Sequence, residues 1–168
     1  MGTIRIAGMY IDSIVDGPGL RFSLYTQGCP HHCEGCHNPH THDEAGGSDA
    51  DIDELCEKIK EDPLLDGVTI SGGEPFLQAE KLIPFASWVH DRGLNIITYT
   101  GYTYEEIIEG QDTHPGWREL LTFSDYLVDG RFIKEQKSYL LRFKGSKNQR
   151  IIDTKQSLKS GAAVEVEL

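Results

Sequence analysis

Segments that alternate between strand-like and helix-like patterns constrain the fold of this 168-residue chain more than any other feature. Leu20, Phe22 and Leu24 alternate with more polar residues at the period of a strand. Other strands are predicted at residues 4–6, 10–11, 67–70, 95–100, 126–128 and 149–153. Strands that alternate with helices form parallel sheets with right-handed crossovers, so an α/β fold is expected. Because a complete eight-unit barrel usually needs about 200 residues or more, we expect an open, partial (βα) barrel with a mostly parallel sheet.

Helices are predicted between these strands. The first runs from Ser48 to Asp62, with Ser48 as its N-cap. Cys56 lies on its apolar stripe and is interpreted as a small buried core residue. A second helix ends near Gly93, and Pro84 is expected either to kink it or to move its start nearer to Glu80. Shorter helical pieces are predicted at residues 104–108 and 117–121.

Composition and charge narrow the class of protein. The chain is 38% hydrophobic and 26% charged, which is typical of a globular domain. A single domain over residues 1–168 is expected, with a core at about 4–153 and a short tail at 154–168. The net charge of −11 disfavours nonspecific binding to nucleic acid or to an anionic membrane. No apolar run reaches the roughly 18 residues of a membrane span, and the first residues lack the apolar region of a signal peptide. These features indicate a cytoplasmic protein. The basic excess of residues 134–147 is typical of an irregular, solvated loop.

Three of the four cysteines, Cys29, Cys33 and Cys36, lie within eight residues in a C-x3-C-x2-C pattern. Thiolates this close together select an iron–sulfur cluster, zinc or copper(I). A structural zinc site takes four ligands, commonly from two C-x2-C pairs, and this sequence has one such pair. Three thiolates can instead hold three irons of a cubane and leave the fourth iron open to a small molecule. A Cys3His zinc site stays an alternative because five histidines crowd the same stretch: His31, His32, His37, His40 and His42. A disulfide would leave an odd cysteine and has no secretory context.

A second motif, Ser71-Gly72-Gly73-Glu74-Pro75, follows the strand at residues 67–70. Adjacent glycines allow positive φ and a close approach of the backbone to a ligand. Glu74 would present an acceptor at the strand end, which suits a ligand ammonium. Taken alone, the motif is also explained by an ordinary turn between a strand and a helix.

In combination, the cysteine pattern and the Gly-Gly-Glu-Pro motif resemble the radical S-adenosylmethionine (radical SAM) superfamily. The remaining motifs, together with the short length, resemble the activating proteins of anaerobic (class III) ribonucleotide reductases. This resemblance extends from about Ile6 to about Ile152. The motifs that carry it are Asp16-Gly17-Pro18-Gly19-Leu20-Arg21, Gly35-Cys36-His37-Asn38, Tyr99-Thr100-Gly101-Tyr102, Val128-Asp129-Gly130-Arg131-Phe132 and Gly145-Ser146-Lys147-Asn148-Gln149-Arg150.

The resemblance implies a fold of the radical SAM type and a [4Fe–4S] cluster on Cys29, Cys33 and Cys36. The amino-acid end of S-adenosylmethionine would bind the open iron. Reductive cleavage would give methionine and a 5′-deoxyadenosyl radical, which abstracts a glycine Cα hydrogen from the large subunit of the reductase. An electron donor such as flavodoxin is implied as a second partner. Neither nucleic acid nor membrane is an implied partner.

The resemblance also assigns roles in cofactor binding. Glu74, with the backbone of the two preceding glycines, would hold the methionine ammonium. The backbone on either side of Cys36 would lie near the adenine, and two threonines of the third strand would reach the ligand. The full implied set is Gly35, Cys36, His37, Gly72, Gly73, Glu74, Thr98 and Thr100. Weaker candidates, for the ligand or for partner docking, are Arg131, Asn148 and Arg150.

Two other classes of protein stay open at this point. One is a small-molecule radical SAM enzyme such as a 7-carboxy-7-deazaguanine synthase-like protein, which needs a substrate pocket. The other is a non-catalytic interaction module built on a Cys3His zinc site. The metal and sulfide content of the protein separates this module from both enzymes.

Overall fold

The computed structural model describes residues 1–168 as a seven-stranded sheet with five α-helices. The strands are β1 (Thr3–Ser13), β2 (Arg21–Thr26), β3 (Ser48–Asp51), β4 (Gly67–Gly72), β5 (Asn95–Tyr99), β6 (Tyr126–Asp129) and β7 (Arg150–Asp153). The helices are α1 (Ile52–Lys60), α2 (Ala79–Asp91), α3 (Tyr104–Gly110), α4 (Trp117–Phe123) and α5 (Thr154–Ser160). None of the helices combines the length and the hydrophobicity that a membrane crossing requires.

The sheet has parallel strands at its centre and antiparallel strands at both sides. Its order is β3-β1-β2-β4-β5-β6-β7, and β2, β4, β5 and β6 run parallel to one another. β1 and β7 are antiparallel to their inner neighbours, and β3 is antiparallel to β1. The predicted α/β fold is therefore confirmed, with an open sheet whose parallel part is the central four strands.

The two faces of the sheet differ in how they are covered. On one face, apolar residues of α1 to α4 pack with residues of the sheet in a core cluster of 25 buried residues. On the other face, a smaller cluster of Ile97, Val128 and Ile151 packs against Tyr99 and Phe143. Because successive side chains of a strand point to opposite faces, Ile97 and Tyr99 of β5 lie away from the helices.

The first helix begins later than the sequence predicts. Residues Ser48–Asp51 form β3, which pairs with β1 from Thr3 to Ile6. The N-cap of α1 is Asp51, whose carboxylate accepts a hydrogen bond from the backbone N–H of Asp53 at 2.8 Å. The prediction of Ser48 as the N-cap is therefore wrong, because the edge of β1 recruits this polar segment as a strand.

The other predicted helices have the expected positions, and one helix was not predicted. α2 begins at Ala79, next to the expected start at Glu80, and contains Pro84 in its interior. α5 has no counterpart among the predictions. It begins after Asp153, whose side chain caps it, and the following tail returns antiparallel along β7 through an N–H···O bond from Val166 to Ile151 of 2.8 Å.

Every parallel strand ends at the same edge of the sheet. β2 leads into Gly28 and the cysteine loop, and β4 leads into Gly73 and Glu74. β5 ends just before Thr100, and β6 ends just before Gly130. The motifs singled out in the sequence therefore meet at the carboxyl ends of the central strands, where parallel α/β folds commonly bind ligands.

Candidate active site

A cavity of about 370 Å³ lies at these strand ends. All three cysteines of the C-x3-C-x2-C pattern line it, together with residues from the ends of β4, β5 and β6. Its lining includes seven of the residues that the sequence assigned to the site: Cys29, Cys33, Cys36, His37, Gly72, Gly73 and Thr100.

The cysteine loop is tied down at its start. The backbone N–H of Gly28 donates to the carbonyl of Thr41 at 2.6 Å, and that of Cys29 donates to the carbonyl of His42 at 3.2 Å. The three thiols are free and partly buried. Burial raises the pKa of the Cys29 thiol, and the backbone N–H groups of the next residues act in the opposite direction. The loop thus presents three unpaired sulfur ligands to one cavity.

The donor set fits a polynuclear cluster better than a single metal ion. No three Cys, His, Asp or Glu side chains converge closely enough to hold one ion. A Cys3His zinc site requires its ligands within about 2.0–2.3 Å of a common centre, whereas a cubane carries its irons at separate corners. His42 also lines the cavity, and its buried Nε2 has no hydrogen-bond partner. Burial lowers the pKa of His42 and favours its neutral form.

Cys56 lies apart from this donor set. It is a buried residue of α1, and burial raises the pKa of its thiol to about 11. Its interpretation as a core residue agrees with this position.

The two glycines of the Gly-Gly-Glu-Pro motif are required by backbone packing. Gly72 has φ of +106°, and a Cβ there would overlap the backbone of Thr26 at the end of β2. A Cβ on Gly73 would overlap the carbonyl of Gly28. The predicted positive φ is therefore present, and the close approach brings β4 against the entry to the cysteine loop.

The Glu74 carboxylate is fully buried and lies behind the cavity wall. His31 Nε2 lies 2.6 Å from its Oε1, and the Thr100 hydroxyl lies 2.9 and 2.8 Å from its two oxygens. Backbone N–H groups of Gly101 and Phe76 donate to it at 2.8 and 3.0 Å. His31 itself lines the cavity. A ligand ammonium can reach Glu74 only if His31 moves, so the predicted contact stays a prediction.

Besides Glu74, two of the predicted cofactor-binding residues do not line the cavity. The hydroxyl of Thr98 lies 2.6 Å from that of Ser124 at the end of α4. It is therefore on the helix-covered face of the sheet, because side chains alternate along β5, and its expected contact with the ligand stays a prediction. Gly35 lies between two lining cysteines but is itself next to Phe132 and Lys134.

Comparison with known proteins assigns the chain to a family. A family model described as a 4Fe-4S single cluster domain matches residues 15–152. A protein of Haemophilus influenzae named anaerobic ribonucleoside-triphosphate reductase-activating protein is 33% identical over 148 residues, which cover 83% of this chain and 92% of that protein. The chain belongs to this family of activating proteins. A protein of the same name from Enterobacteria phage T4 is 31% identical, with 85% and 90% of the two chains covered.

Two further comparisons extend over smaller parts of the chains. The pyruvate formate-lyase-activating enzyme of Clostridium pasteurianum is 39% identical over 64% of this chain and 49% of that enzyme. The crystal structure of QueE from Escherichia coli superposes with a TM-score of 0.48 at 21% identity, over 60% of this chain and 54% of that chain. That superposition is too partial to bear on fold or function.

Membership of the activating family makes this protein a radical SAM enzyme whose cofactors are a [4Fe–4S] cluster and S-adenosylmethionine.

The weaker candidates Arg131, Asn148 and Arg150 lie outside the cavity lining. Arg131 pairs with Glu106 at 3.3 Å, and Arg150 pairs with both Asp129 and Glu105 at 2.6 Å. These carboxylates hold the two arginines in this structure, and their expected role, for the ligand or for partner docking, stays a prediction.

Several lining residues of this activating protein were not identified from the sequence. Asp16 accepts hydrogen bonds from the hydroxyls of Tyr25 at 2.7 Å and Ser13 at 2.5 Å. Tyr99 donates its hydroxyl to the carbonyl of Phe143 at 2.9 Å, and burial raises the Tyr99 pKa. Asp16 and Tyr99 both stand in motifs that carried the resemblance, so strand alternation could have pointed Tyr99 toward the cavity. Gly145 also stands in such a motif, whereas Phe143 and Lys144, which line the cavity too, had no signal in the pattern.

Proposed function

We propose that this protein activates an anaerobic ribonucleoside-triphosphate reductase by generating a glycyl radical on its large subunit. The observation that carries the proposal is the meeting of three free cysteines with the ends of β4, β5 and β6 around one cavity. Cys29, Cys33 and Cys36 would hold the [4Fe–4S] cluster. When bound and reduced, the cluster would supply the electron that cleaves S-adenosylmethionine to methionine and a 5′-deoxyadenosyl radical. This radical would take the glycine hydrogen.

The remaining residues of the site would bind and orient S-adenosylmethionine and shield it from solvent. Gly72, Gly73 and His37 line the cavity. Thr100 lines the cavity and donates to Glu74, so it fixes the carboxylate behind the wall. Glu74 would take the methionine ammonium if His31 turns away, and otherwise it orients the imidazole that faces the ligand.

The size of the cavity supports a protein substrate. At about 370 Å³ it lies near the lower end of the range of roughly 300–1,000 Å³ for small-molecule sites. The cluster and S-adenosylmethionine would share this space, which favours a target glycine that comes from another protein. The surface of that protein would complete the site.

The wider setting follows from the same proposal. We infer that the chain works as one radical SAM domain, in which the central parallel strands form the open part of a (βα) barrel. The cluster requires reduced thiols, so the protein would act in the cytoplasm and receive electrons from a donor such as flavodoxin.

Metal and sulfide analysis after anaerobic reconstitution tests the proposal. About four irons and four sulfides per chain are expected, together with release of methionine and 5′-deoxyadenosine after reduction. Stoichiometric zinc without sulfide would contradict the proposal and favour an interaction module.

A further inference from the structure

One segment has a charge unlike that of the rest of the protein. We define residues 134–147 as the basic loop, which contains five of the sixteen Lys and Arg and one of the twenty-seven Asp and Glu. Lys134 pairs with Glu34 at 3.7 Å. The other four cations have no carboxylate within 4.0 Å: Lys137, Arg142, Lys144 and Lys147. On a chain with a net charge of −11, this loop is a local positive site.

The basic loop also carries exposed apolar side chains. Tyr139 is 88% exposed and Leu140 is 96% exposed, the highest values among the large hydrophobic residues. The base of the loop is held by its backbone. Lys137 and Ser146 form an antiparallel β-bridge, and the N–H of Lys147 donates to the carbonyl of Gln136 at 3.0 Å. The loop therefore holds its apolar tip out from a defined base. Exposed apolar groups of this kind commonly mark interaction sites.

The basic loop connects two cavities. Phe143, Lys144 and Gly145 line the cysteine cavity. Lys144 also lines a second cleft of about 580 Å³, together with Leu140 and Arg142 of the loop and Val166 and Leu168 of the tail. Any chain that brings a glycine from outside into the cysteine cavity along this side passes over the loop.

The backbone at Phe143 supports a defined position for this wall. Its φ is +62°, a left-handed value that is unfavourable for a bulky residue. The hydroxyl of Tyr99 holds the carbonyl of Phe143 at 2.9 Å. Strain of this kind persists only where surrounding contacts impose it, and it concentrates at binding sites.

We propose that the basic loop and the second cleft dock an acidic, apolar segment of the protein substrate next to its target glycine. The inference rests on the proposed function, because the segment is the one that delivers the glycine. Its apolar side chains would pack with Leu140, Val166 and Leu168, and its carboxylates would face Lys137, Arg142 and Lys144. Glu165 and Glu167 on the tail side of the cleft repel an acidic chain there, so they direct the carboxylates toward the loop.

A protein segment fits this surface better than nucleic acid or a lipid surface does. The four cations that have no carboxylate partner form a small patch on an otherwise acidic molecule, and two of them, Lys137 and Arg142, lie over aromatic rings of the loop. Nucleic-acid binding instead draws on many phosphate contacts. The leucine and valine side chains of the cleft also match apolar side chains of a peptide. Charge complementarity of this type raises the association rate and selects the partner.

Charge reversal in the basic loop tests the docking. The cluster-loaded protein and its cognate anaerobic reductase are mixed without oxygen, and the dissociation constant is measured by biolayer interferometry. Lys137→Glu with Arg142→Glu should raise the dissociation constant about tenfold or more and flatten its dependence on salt. The matched control, Lys81→Glu with Lys155→Glu, makes the same charge change at two exposed lysines elsewhere and should stay within about twofold.

A second pair of variants tests the apolar tip. Leu140→Ser should raise the dissociation constant about fivefold, whereas Leu64→Ser, at a residue 74% exposed near the opposite ends of the strands, should not. Partner-independent cleavage of S-adenosylmethionine should be unchanged in all four proteins, because none of the altered residues lines the cysteine cavity.

The outcomes separate the docking from the proposed function. Loop variants that bind the reductase as well as their controls overturn the docking inference and leave the proposed function standing. Wild-type protein that forms no glycyl radical on the reductase overturns the proposed function itself. Loop-dependent binding of single-stranded DNA or of anionic phosphatidylserine vesicles, with no loop dependence toward the reductase, also overturns the docking inference.

Discussion

At the scale of single residues, Glu74 combines two roles that the sequence could not separate. Its carboxylate accepts hydrogen bonds from Thr100, Gly101 and Phe76 and lies 2.6 Å from His31. These contacts lock the turn after β4, and they also set what the cavity presents to a ligand. The motif predicted an acceptor at this place, but only the fold shows that His31 stands in front of it.

Glu74→Gln should weaken both ligand binding and folding. The amide replaces one acceptor oxygen by a donor that faces other donors, so we expect the free energy of unfolding to fall by about 1–3 kcal/mol. S-adenosylmethionine binding should weaken by about 1.5–3 kcal/mol, measured by anaerobic titration of the cluster-loaded protein. Thr98→Val is the control, because it breaks a buried hydrogen bond on the helix-covered side of the neighbouring strand β5. Equal ligand affinity in the two variants would make Glu74 a structural residue only.

The cysteines give a second prediction at this scale. Cys33→Ala should lose the cluster, seen as loss of iron, sulfide and visible absorbance after reconstitution, because it removes one of three thiol ligands. Cys56→Ala should keep all of these and cost about 1 kcal/mol of stability, since it removes only a buried sulfur from α1. Iron retained by Cys33→Ala and lost by Cys56→Ala would contradict this assignment of ligands.

At the scale of elements, Arg21 joins the turn before β2 to the neighbouring strands. Its fully buried guanidinium donates to the Thr69 hydroxyl at 2.8 Å, to the Asn95 side chain at 2.7 Å and to the carbonyls of Val68 and Pro18. Burial lowers its pKa to about 10, so it stays charged at neutral pH. The Asp16–Arg21 motif thus contributes both a cavity residue at its start and a cross-strand tie at its end.

Arg21→Met should destabilise the sheet. The substitution keeps most of the volume but leaves buried and partly buried acceptors without their donor, so we expect the free energy of unfolding to fall by about 2–4 kcal/mol. Urea unfolding of the apoprotein, followed by circular dichroism, measures this loss. Arg118→Met on the exposed side of α4 should change stability by less than about 0.5 kcal/mol. A stability of Arg21→Met equal to that of Arg118→Met would contradict the role as a tie.

The sequence predicted elements best where side-chain pattern alone decides them. The strand β2 carries an alternating pattern, β4, β5 and β6 carry short apolar runs bounded by turns, and all four strands form where these patterns predict them. The predicted helix start at Ser48 was wrong because the polar segment Ser48–Asp51 forms β3 by pairing its backbone with β1. No side-chain pattern predicts this pairing. For Thr98, the resemblance implied a ligand contact, whereas the alternation of β5 points its side chain to Ser124.

At the scale of the whole molecule, the site is open to a partner. The three cysteines, the strand ends and the strained residue Phe143 surround a cavity that also borders the basic loop. Neither the order of the strands nor the approach of residues 143–145 to the cysteines could be read from the sequence, because both depend on long-range packing. The convergence of the motifs can be inferred from the sequence, since the carboxyl ends of parallel strands lie at one edge of the sheet.

Without a partner, the reduced protein should cleave S-adenosylmethionine slowly, and this cleavage should not produce a glycyl radical. In the proposed function the protein substrate completes the site, so the radical lacks its hydrogen donor until the reductase binds. Adding the anaerobic reductase should couple release of 5′-deoxyadenosine to radical formation on the reductase. The amount of 5′-deoxyadenosine is measured by liquid chromatography of the quenched reaction. Rapid, partner-independent turnover that the reductase does not change would contradict a site completed by a protein substrate.

The central claim is most directly tested by following the hydrogen atom itself. The anaerobic reductase is prepared with glycine deuterated at Cα and incubated with the reduced, cluster-loaded protein and S-adenosylmethionine. We predict a glycyl radical signal on the reductase in electron paramagnetic resonance, and deuterium in the 5′-deoxyadenosine that forms with it. A reductase without the radical, with 5′-deoxyadenosine that carries no deuterium, would contradict the account.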